Sequence, residues 1–326
     1  MAVVTVAVPV LNGGQRFREL LHAVRAQAVP AGHERELLVC DSGSVDGSDA
    51  AAVAAGARLL RIARSEFSHS GTRNRLMAAA RGEIVAFLTQ DAVPASPEWL
   101  SALLAGFALG EDVALVYGPY RPRPDASPPV ARELDRWFAS LAGPDGGPRV
   151  DRLPAGDGVP LPGATPGVDR DSPNTRLYGP LGFFTDANGA VRRSAWERVP
   201  FPPVVYAEDH ALAIAMLRAG FAKAFVPRAA VVHSHEYSLR DWLRRSFDES
   251  RAVADLYGVP EIGSARRLIS GVRGAVGADR RDGARGGELL ASALHHGVRG
   301  LGMGLGVRAE RLPASARRRL SLEGRV

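Results

Sequence analysis

Residues 3–10 form a valine-rich run that ends in Pro9-Val10 and the turn residues Asn12, Gly13 and Gly14, the pattern of a buried strand entering a loop. Phe17, Leu20, Leu21 and Val24 then recur at i, i+3, i+4 and i+7, which predicts a helix laid on a sheet. Residues 37–40 read as a second strand, and the polar turn 41–48 feeds an alanine-rich helix to about residue 55. A strand over 58–62, a helix from His69 to about residue 80 and a strongly apolar strand over 83–88 follow. That strand stops at Thr89-Gln90-Asp91. Ser96 and Pro97 carry the cap and first-turn signals of another helix, which Trp99, Leu103 and Phe107 continue on one face before a strand over 113–117. Strands alternating with helices predict βαβ crossovers and a mostly parallel sheet.

The pattern weakens after Pro119. An amphipathic piece over 134–141 precedes a stretch dense in Gly, Pro and Asp, 143–173, which reads as a mobile loop. Order returns at 182–188, and Val205-Tyr206-Ala207-Glu208-Asp209 leads into a helix with Leu212, Met216 and Ala219 on one face and Gly220 as its cap. Residues 224–232 predict a strand ending in His233-Ser234-His235, and 239–256 a long amphipathic helix. The residues beyond are rich in arginine and glycine and only weakly periodic.

Composition narrows the classes. At 326 residues the chain suits about two units, and 46% hydrophobic against 23% charged residues is a globular balance. The single cysteine, Cys40, excludes an internal disulfide framework and any cysteine-built metal site, and a reducing compartment is expected. Lysine and arginine exceed the acids by 41 − 35 = 6, with Lys223 the one lysine. Arginine forks onto phosphate and carboxylate, so anionic partners fit, whereas nucleic acid is not expected from this modest excess. Residues 1–11 lack the basic start of a secretory signal, and no run of 18 apolar residues occurs. A cytoplasmic enzyme is expected, in contact with the inner face of the cell membrane through arginines and leucines interleaved from Arg266 onward.

Polar clusters placed directly after parallel strands are where ligands bind in open sheets. Four such clusters are Asp41, Arg73, Asp91 and Glu208-Asp209; His233 and His235 add a pair that shares a face if their strand stays extended. Carboxylates, an arginine and imidazoles suit a metal-bound diphosphate and a general base. Plainer roles compete. Asp41 and Asp46 suit turns and caps, Arg73 suits either phosphate or a nearby acid, Glu208-Asp209 suits a helix first turn, and the histidines suit a core. An unpaired Asp91 behind Ala86-Phe87-Leu88 is harder to explain without function. Gly302 to Gly306 lacks dinucleotide-loop spacing, and neither a P-loop nor a G-x-S-x-G elbow occurs.

Taken in order, Val6-Ala7-Val8-Pro9-Val10-Leu11-Asn12, Asp41-Ser42-Gly43-Ser44-Val45-Asp46-Gly47, Thr89-Gln90-Asp91-Ala92 and Ala207-Glu208-Asp209 resemble family 2 glycosyltransferases of the GT-A fold. Phe67-Ser68-His69-Ser70-Gly71-Thr72-Arg73-Asn74 and Val232-His233-Ser234-His235 are most similar to the bacterial rhamnosyltransferases within that family. The resemblance covers roughly residues 3–250. It implies an α/β fold with a Rossmann-like, mostly parallel sheet flanked by helices and a helical C-terminal extension. Residues 1–120 would form the nucleotide-sugar half, 121–258 the acceptor-binding and catalytic half of the same domain, and 259–326 a basic extension.

The resemblance also assigns roles. Asp41 would contact the base or ribose, with Pro9 and Leu11 walling that pocket; Arg73 would face the pyrophosphate, and Gln90 and Asp91 the donor. Asp91 and His233 would hold Mg²⁺ or Mn²⁺. Asp209 would be the catalytic base with Glu208 beside it, and Asp186 and Asn188 would line the acceptor side. Thr89 stands where many members carry the first Asp of D-x-D, and Ser42 replaces a second acid in the first signature. The implied activity is inverting transfer of a sugar, L-rhamnose from dTDP-rhamnose, to a hydroxyl of a glycan or lipid-linked acceptor. A UDP-hexose donor, or a non-catalytic nucleotide-sugar-binding protein, is the alternative.

Overall fold

A computed structural model of the chain describes residues 2–153, 179–257, 265–322 and 324. Its strands are β1 (Ala2–Val10), β2 (His33–Asp41), β3 (Arg58–Arg61), β4 (Ile84–Leu88), β5 (Val93–Pro94), β6 (Val113–Tyr117), β7 (Tyr120–Arg121), β8 (Arg149–Asp151), β9 (Asn188–Arg192), β10 (Ala222–Phe225) and β11 (Val231–Val232). The main sheet has the order β3-β2-β1-β4-β9-β6-β10-β8, and β5-β11-β7 form a small second sheet. In the main sheet β9 and β8 run against the other six strands. The expected α/β architecture is therefore observed.

Strand alternation separates two cores. Val4, Val6, Val8 and Val10 of β1 face one layer with Leu37 and Val39 of β2 and Ala86 and Leu88 of β4. Ala7, Leu38, Cys40, Val85 and Phe87 face the other. The first layer is closed by α1 (Gly14–Arg25), α2 (Ser48–Ala54) and, after α3 (His69–Ala79), by α4 (Trp99–Gly106). Phe17, Leu20, Leu21 and Val24 are all buried on α1, as their spacing predicts. The second layer is closed by α3, α5 (Pro128–Leu141), α6 (Arg193–Arg198) and α7 (Glu208–Arg218). Gly189 of β9, which pairs with both β4 and β6, lets residues 184 and 185 approach closely: a Cβ there would sit 2.3 Å from the Thr185 carbonyl oxygen and 2.7 Å from the Phe184 ring.

Several expectations need correction. The helix read from Ser96 begins at Trp99, because Ser96 and Pro97 form a turn in which the Ser96 carbonyl accepts from Trp99 N at 3.3 Å. The strand read over 224–232 is broken in two. Pro227 has no N–H for a ladder, so β10 ends at Phe225 and the chain reaches the small sheet before His233. Within the stretch read as a loop, 149–151 form an edge strand on β10, while 154–173 lie outside the described residues. Burial decides that edge. Lys223 is fully buried on β10, and its Nζ is satisfied by Asp151 Oδ2 at 2.5 Å, Pro180 O at 3.0 Å and Tyr117 Oη at 3.4 Å.

The weakly periodic C-terminal region forms three helices after α8 (Leu239–Tyr257): α9 (Ala265–Arg281), α10 (Gly287–Gly306) and α11 (Ala314–Leu320). Contact here comes from small residues rather than an apolar stripe. Gly302 and Gly306 lie one turn apart on α10, against the Leu243 and Phe247 carbonyls of α8, and a Cβ on either would come within 2.3 Å of its carbonyl oxygen. Ile269, Leu290, Leu294 and Leu301 are exposed on these helices. Among the described residues no helix is long and apolar enough to cross a membrane.

Candidate active site

Strands β2, β1 and β4 are parallel neighbours, so the loops after Asp41, Val10 and Leu88 emerge along one edge of the sheet. Side chains tie these loops together. Leu11 N donates to Gln90 Oε1 at 2.8 Å, Asn12 N to Ser44 Oγ at 2.9 Å, and Gly14 N to Asp46 Oδ2 at 2.8 Å. Asn12 holds a left-handed backbone (φ 49°) and accepts from Val45 N at 2.9 Å. Asp41 is buried; its Oδ1 accepts from Gly43 N at 2.9 Å and Ser44 N at 3.0 Å. The turn role accounts for that oxygen alone, since Oδ2 is buried with no hydrogen-bond partner.

Asp91 follows β4 and meets the two histidines that follow β11. Its Oδ2 lies 3.6 Å from His233 Nδ1 and 3.8 Å from His235 Nδ1. One ligating atom from each of the three residues lies within 4.8 Å of the others. Burial would raise the Asp91 carboxyl, but His233, His235 and Arg123 outweigh it and hold it below the usual range. His233 is pushed down to about 4, chiefly by burial, and is neutral at pH 7. Its Nδ1 is buried without a hydrogen-bond partner. Both histidines therefore join Asp91, although their strand does not stay extended in the main sheet.

A second acidic group heads α7. Ala207, left-handed at φ 60°, turns the chain into Glu208 and Asp209, a conformation that costs a non-glycine residue about 1 kcal/mol or more. Arg73 of α3 is buried between Asp186 and Glu208: its Nη2 donates to Asp186 Oδ1 at 2.7 Å, and its Nη1 lies 2.9 Å from Glu208 Oε1. Glu208 is held below the usual carboxylate range because Arg73 and His69 outweigh its burial. Asp209 is raised to about 7 by burial and then by the charge of Glu208, while His210 N donates to its Oδ1 at 2.8 Å. A carboxylate poised near neutrality suits a general base.

Tyr120 connects the two groups. Its hydroxyl bonds to Thr185 Oγ1, and the ring meets His233 edge to face at a centroid distance of 4.8 Å. Burial raises this phenol, and the charges of Asp209, Asp186 and Asp91 all act on it in the same direction. The charges of Asp91, Asp186 and Asp209 thus all bear on one tyrosine.

A family model described as Glycosyl transferase family 2 matches residues 5–156. O-antigen chain rhamnosyltransferase WbaN of Salmonella anatum is 30% identical over 250 residues, 75% of this chain and 70% of that protein. The chain belongs to glycosyltransferase family 2. The family 2 chain is also 27% identical over 249 residues to O-antigen chain rhamnosyltransferase RfbN of Salmonella typhimurium, with the same two coverages, 75% and 70%. Solved structures agree on the GT-A fold. Mannosyltransferase PcManGT of Pyrobaculum calidifontis, in complex with GDP-Man and Mn²⁺, superposes with a TM-score of 0.54 at 18% identity, covering 96% of this chain and 77% of that one. Glucosyl-3-phosphoglycerate synthase of Mycobacterium tuberculosis, in complex with Mn²⁺, UDP-glucose and phosphoglyceric acid, gives 0.51 at 22% identity over 80% and 82%.

The geometry bears on two site expectations for this glycosyltransferase. Arg73, expected to face the pyrophosphate, holds the two buried acids, so the pairing with an acid that its sequence position also suited is observed. Asn188, expected on the acceptor side, is fully buried at the start of β9. Its Oδ1 accepts from Trp99 Nε1 at 2.7 Å and its Nδ2 donates to Ala229 O at 2.8 Å and Pro119 O at 3.2 Å. With both amide hydrogens engaged, it ties β9 to its surroundings. Sequence reasoning passed over Tyr120 and Arg123, whose guanidinium donates to the Asp91 carbonyl. No local signal marks either, because both reach the site from the small sheet.

Proposed function

We propose that this glycosyltransferase transfers L-rhamnose from dTDP-L-rhamnose to a hydroxyl of a glycan or lipid-linked acceptor, with inversion. The two Salmonella relatives, named as O-antigen chain rhamnosyltransferases, support the donor and acceptor classes. Residues 1–120 would form the donor half, 121–258 the acceptor and catalytic half, and 259–326 an extension. The observation that carries the mechanism is the acidic group at the head of α7, where Arg73 pairs with Asp186 and Glu208 and Asp209 follows directly.

Asp41 would read the base or ribose through its unpartnered Oδ2, with Pro9 and Leu11 beside it and Gln90 fixing the Leu11 backbone. Asp91, His233 and His235 fit a divalent cation, since His233 Nδ1 and Asp91 Oδ2 are close yet too far apart to bond each other. Mn²⁺ suits this mixed imidazole and carboxylate set better than Mg²⁺, which favours oxygen. Such an ion neutralises charge on the leaving diphosphate. Asp209, ionised above about pH 7, removes the proton of the acceptor hydroxyl as its oxygen bonds the anomeric carbon and the bond to phosphate breaks. Arg73 and Asp186 fix Glu208, whose charge helps to set the basicity of Asp209.

The test measures thermal stabilisation of the purified chain and release of nucleoside diphosphate, with Mn²⁺ and each of dTDP-L-rhamnose, UDP-glucose and GDP-mannose. Stabilisation by dTDP-L-rhamnose alone is expected. A response only to UDP-glucose or GDP-mannose overturns the donor, and no response to any overturns the nucleotide-sugar reading. Peripheral membrane contact through the tail is part of the same proposal, supported by exposed Leu290 and Leu294 on α10. Co-sedimentation with anionic vesicles should fall in L290Q/L294Q, and unchanged co-sedimentation removes that contact.

A further inference from the structure

Beside the acidic group lies a cavity of about 780 Å³, lined by Arg64, Ser65, Phe67, Ser68, Val205 and Arg251 among others. It touches the catalytic elements from two directions. One wall is the first turn of α3, which carries His69, whose Nδ1 lies 3.7 Å from Glu208 Oε1, and then Arg73. Another is the segment containing Pro203, Val204 and Val205, which runs through Tyr206 and Ala207 straight into Glu208 and Asp209.

The lining has a definite chemistry. Among the described residues it holds two arginines and no carboxylate. Glu66, the nearest acid along the chain to Arg64, is occupied elsewhere: Ala63 N donates to its Oε2 at 2.8 Å and Arg75 Nη2 to its Oε1 at 3.1 Å. Asp255, one turn from Arg251 on α8, interacts with that arginine, which leaves Arg64 as the stronger source of positive potential. Ser68 caps α3 by accepting from Gly71 N at 3.1 Å, so its hydroxyl hydrogen remains for an acceptor atom at the positive end of that helix. Phe67, Pro203, Val204 and Val205 add apolar surface to the same lining.

We propose that this cavity is an acceptor subsite that takes an oxyanion, a phosphate or a carboxylate carried by the acceptor, beside the base that activates the acceptor hydroxyl. It is separate from the edge of the sheet where Asp41, Gln90 and Asp91 gather. The assignment rests on the glycosyltransferase reading above and deepens it: the acceptor carries negative charge within reach of its reacting hydroxyl.

The test titrates the full chain with inorganic phosphate, followed by ³¹P line broadening, and with D-glucuronate, followed by saturation-transfer NMR. The same titrations are run on R64Q and R64Q/R251Q, and dTDP binding with Mn²⁺ is measured on all three proteins. The expected result is binding of at least one probe, weakened about tenfold in R64Q, as the loss of one charge-assisted hydrogen bond predicts, while dTDP affinity stays within twofold. Loss confined to phosphate or to glucuronate supports the proposal and names the group. Three results overturn it: neither probe binds the parent chain, R64Q binds them as the parent does, or the probes compete with dTDP, which would give the cavity to the donor. Arg64 is exposed, so R64Q is expected to keep the parent's melting curve. Failure of dTDP to bind the parent would count against the donor reading, and the anion titrations would still decide the cavity.

Discussion

Among the described residues, two groups consist of one carboxylate and two histidines: Asp91 with His233 and His235 at the sheet edge, and Glu133 with His295 and His296 between α5 and α10. In each, the three ligating atoms lie within 4.8 Å of one another. Their bonding differs. Glu133 Oε2 meets His295 Nε2 at 3.1 Å, and Oε1 accepts from Arg299, so both oxygens are engaged. Arg132 and Arg136 of α5 extend the junction to Glu288 at 3.1 Å and Asp279 at 2.7 Å. At the sheet edge no imidazole nitrogen comes within hydrogen-bond distance of Asp91 Oδ2, and His233 Nδ1 has no hydrogen-bond partner. The pairing of the carboxylate, rather than residue type, separates the two groups, since in each one imidazole nitrogen, His233 Nδ1 or His296 Nε2, is buried without a hydrogen-bond partner.

The largest effect expected falls on the acidic group at the head of α7, which Tyr120 joins to the sheet-edge group. D209N removes the proposed base while keeping the shape of the side chain, and kcat for sugar transfer should drop about 10²–10⁴-fold with the melting temperature within a few degrees of the parent's. E133Q, the matching change at the helical junction, should leave kcat within about twofold. A D209N protein that turns over normally would end the base assignment.

Metal affinity sharpens the same contrast at a smaller scale. Changes to groups that merely support a ligand weaken metal binding about 10–100-fold, so D91N should weaken Mn²⁺ by at least that much. E133Q should leave Mn²⁺ affinity unaltered, because Arg299 already supplies the positive charge there. Its cost lies in stability. Glu133 is 36% exposed, which limits the loss to about 1 kcal/mol, read as a fall of a few degrees in Tm. Calorimetric titration of Mn²⁺ into both variants checks this, and equal loss in the two would erase the distinction between the groups.

The sheet was legible because strand alternation and helical spacing are local properties. Val4, Val6, Val8 and Val10 on one side, and Phe17, Leu20, Leu21 and Val24 over them, need nothing beyond their own segment to reveal a core. Asp91 and Asp209 were legible for a related reason: acids that end an apolar strand or head a helix stand out where they are. Arg73 was not. Its partner Asp186 is 113 positions away, and two readings stayed open until the fold brought them together. Asn188 misled because a buried amide saturated by Trp99, Ala229 and Pro119 looks, in one dimension, like an amide offered to a ligand. The C-terminal helices were obscured because Gly302 and Gly306 make their contact through absent side chains.

The smallest effect separates Asp209 from Glu133 by the sign of their pH dependence. Asp209 has its folded pKa raised to about 7 against an ordinary value of 3.8, so between those values the folded state holds a proton that the unfolded state has lost. Its contribution to stability is therefore greatest at the acidic end and falls as pH rises toward 7. Activity runs the other way over the same interval, since the base must be ionised to work. Glu133 is depressed to about 2 from 4.5: burial opposes the shift, but His295 and Arg299 overcome it. Its contribution is present above about pH 4.5 and is lost as pH falls through 2. Melting curves across pH 4–8 should thus show a term of a few degrees that favours low pH in the parent and disappears in D209N. E133Q should keep that term and change only the acid limb. A parent whose activity stayed level from pH 5 to 8 and whose melting temperature did not fall as pH rose toward 7 would show that Asp209 is ionised well below neutrality, as Glu133 is.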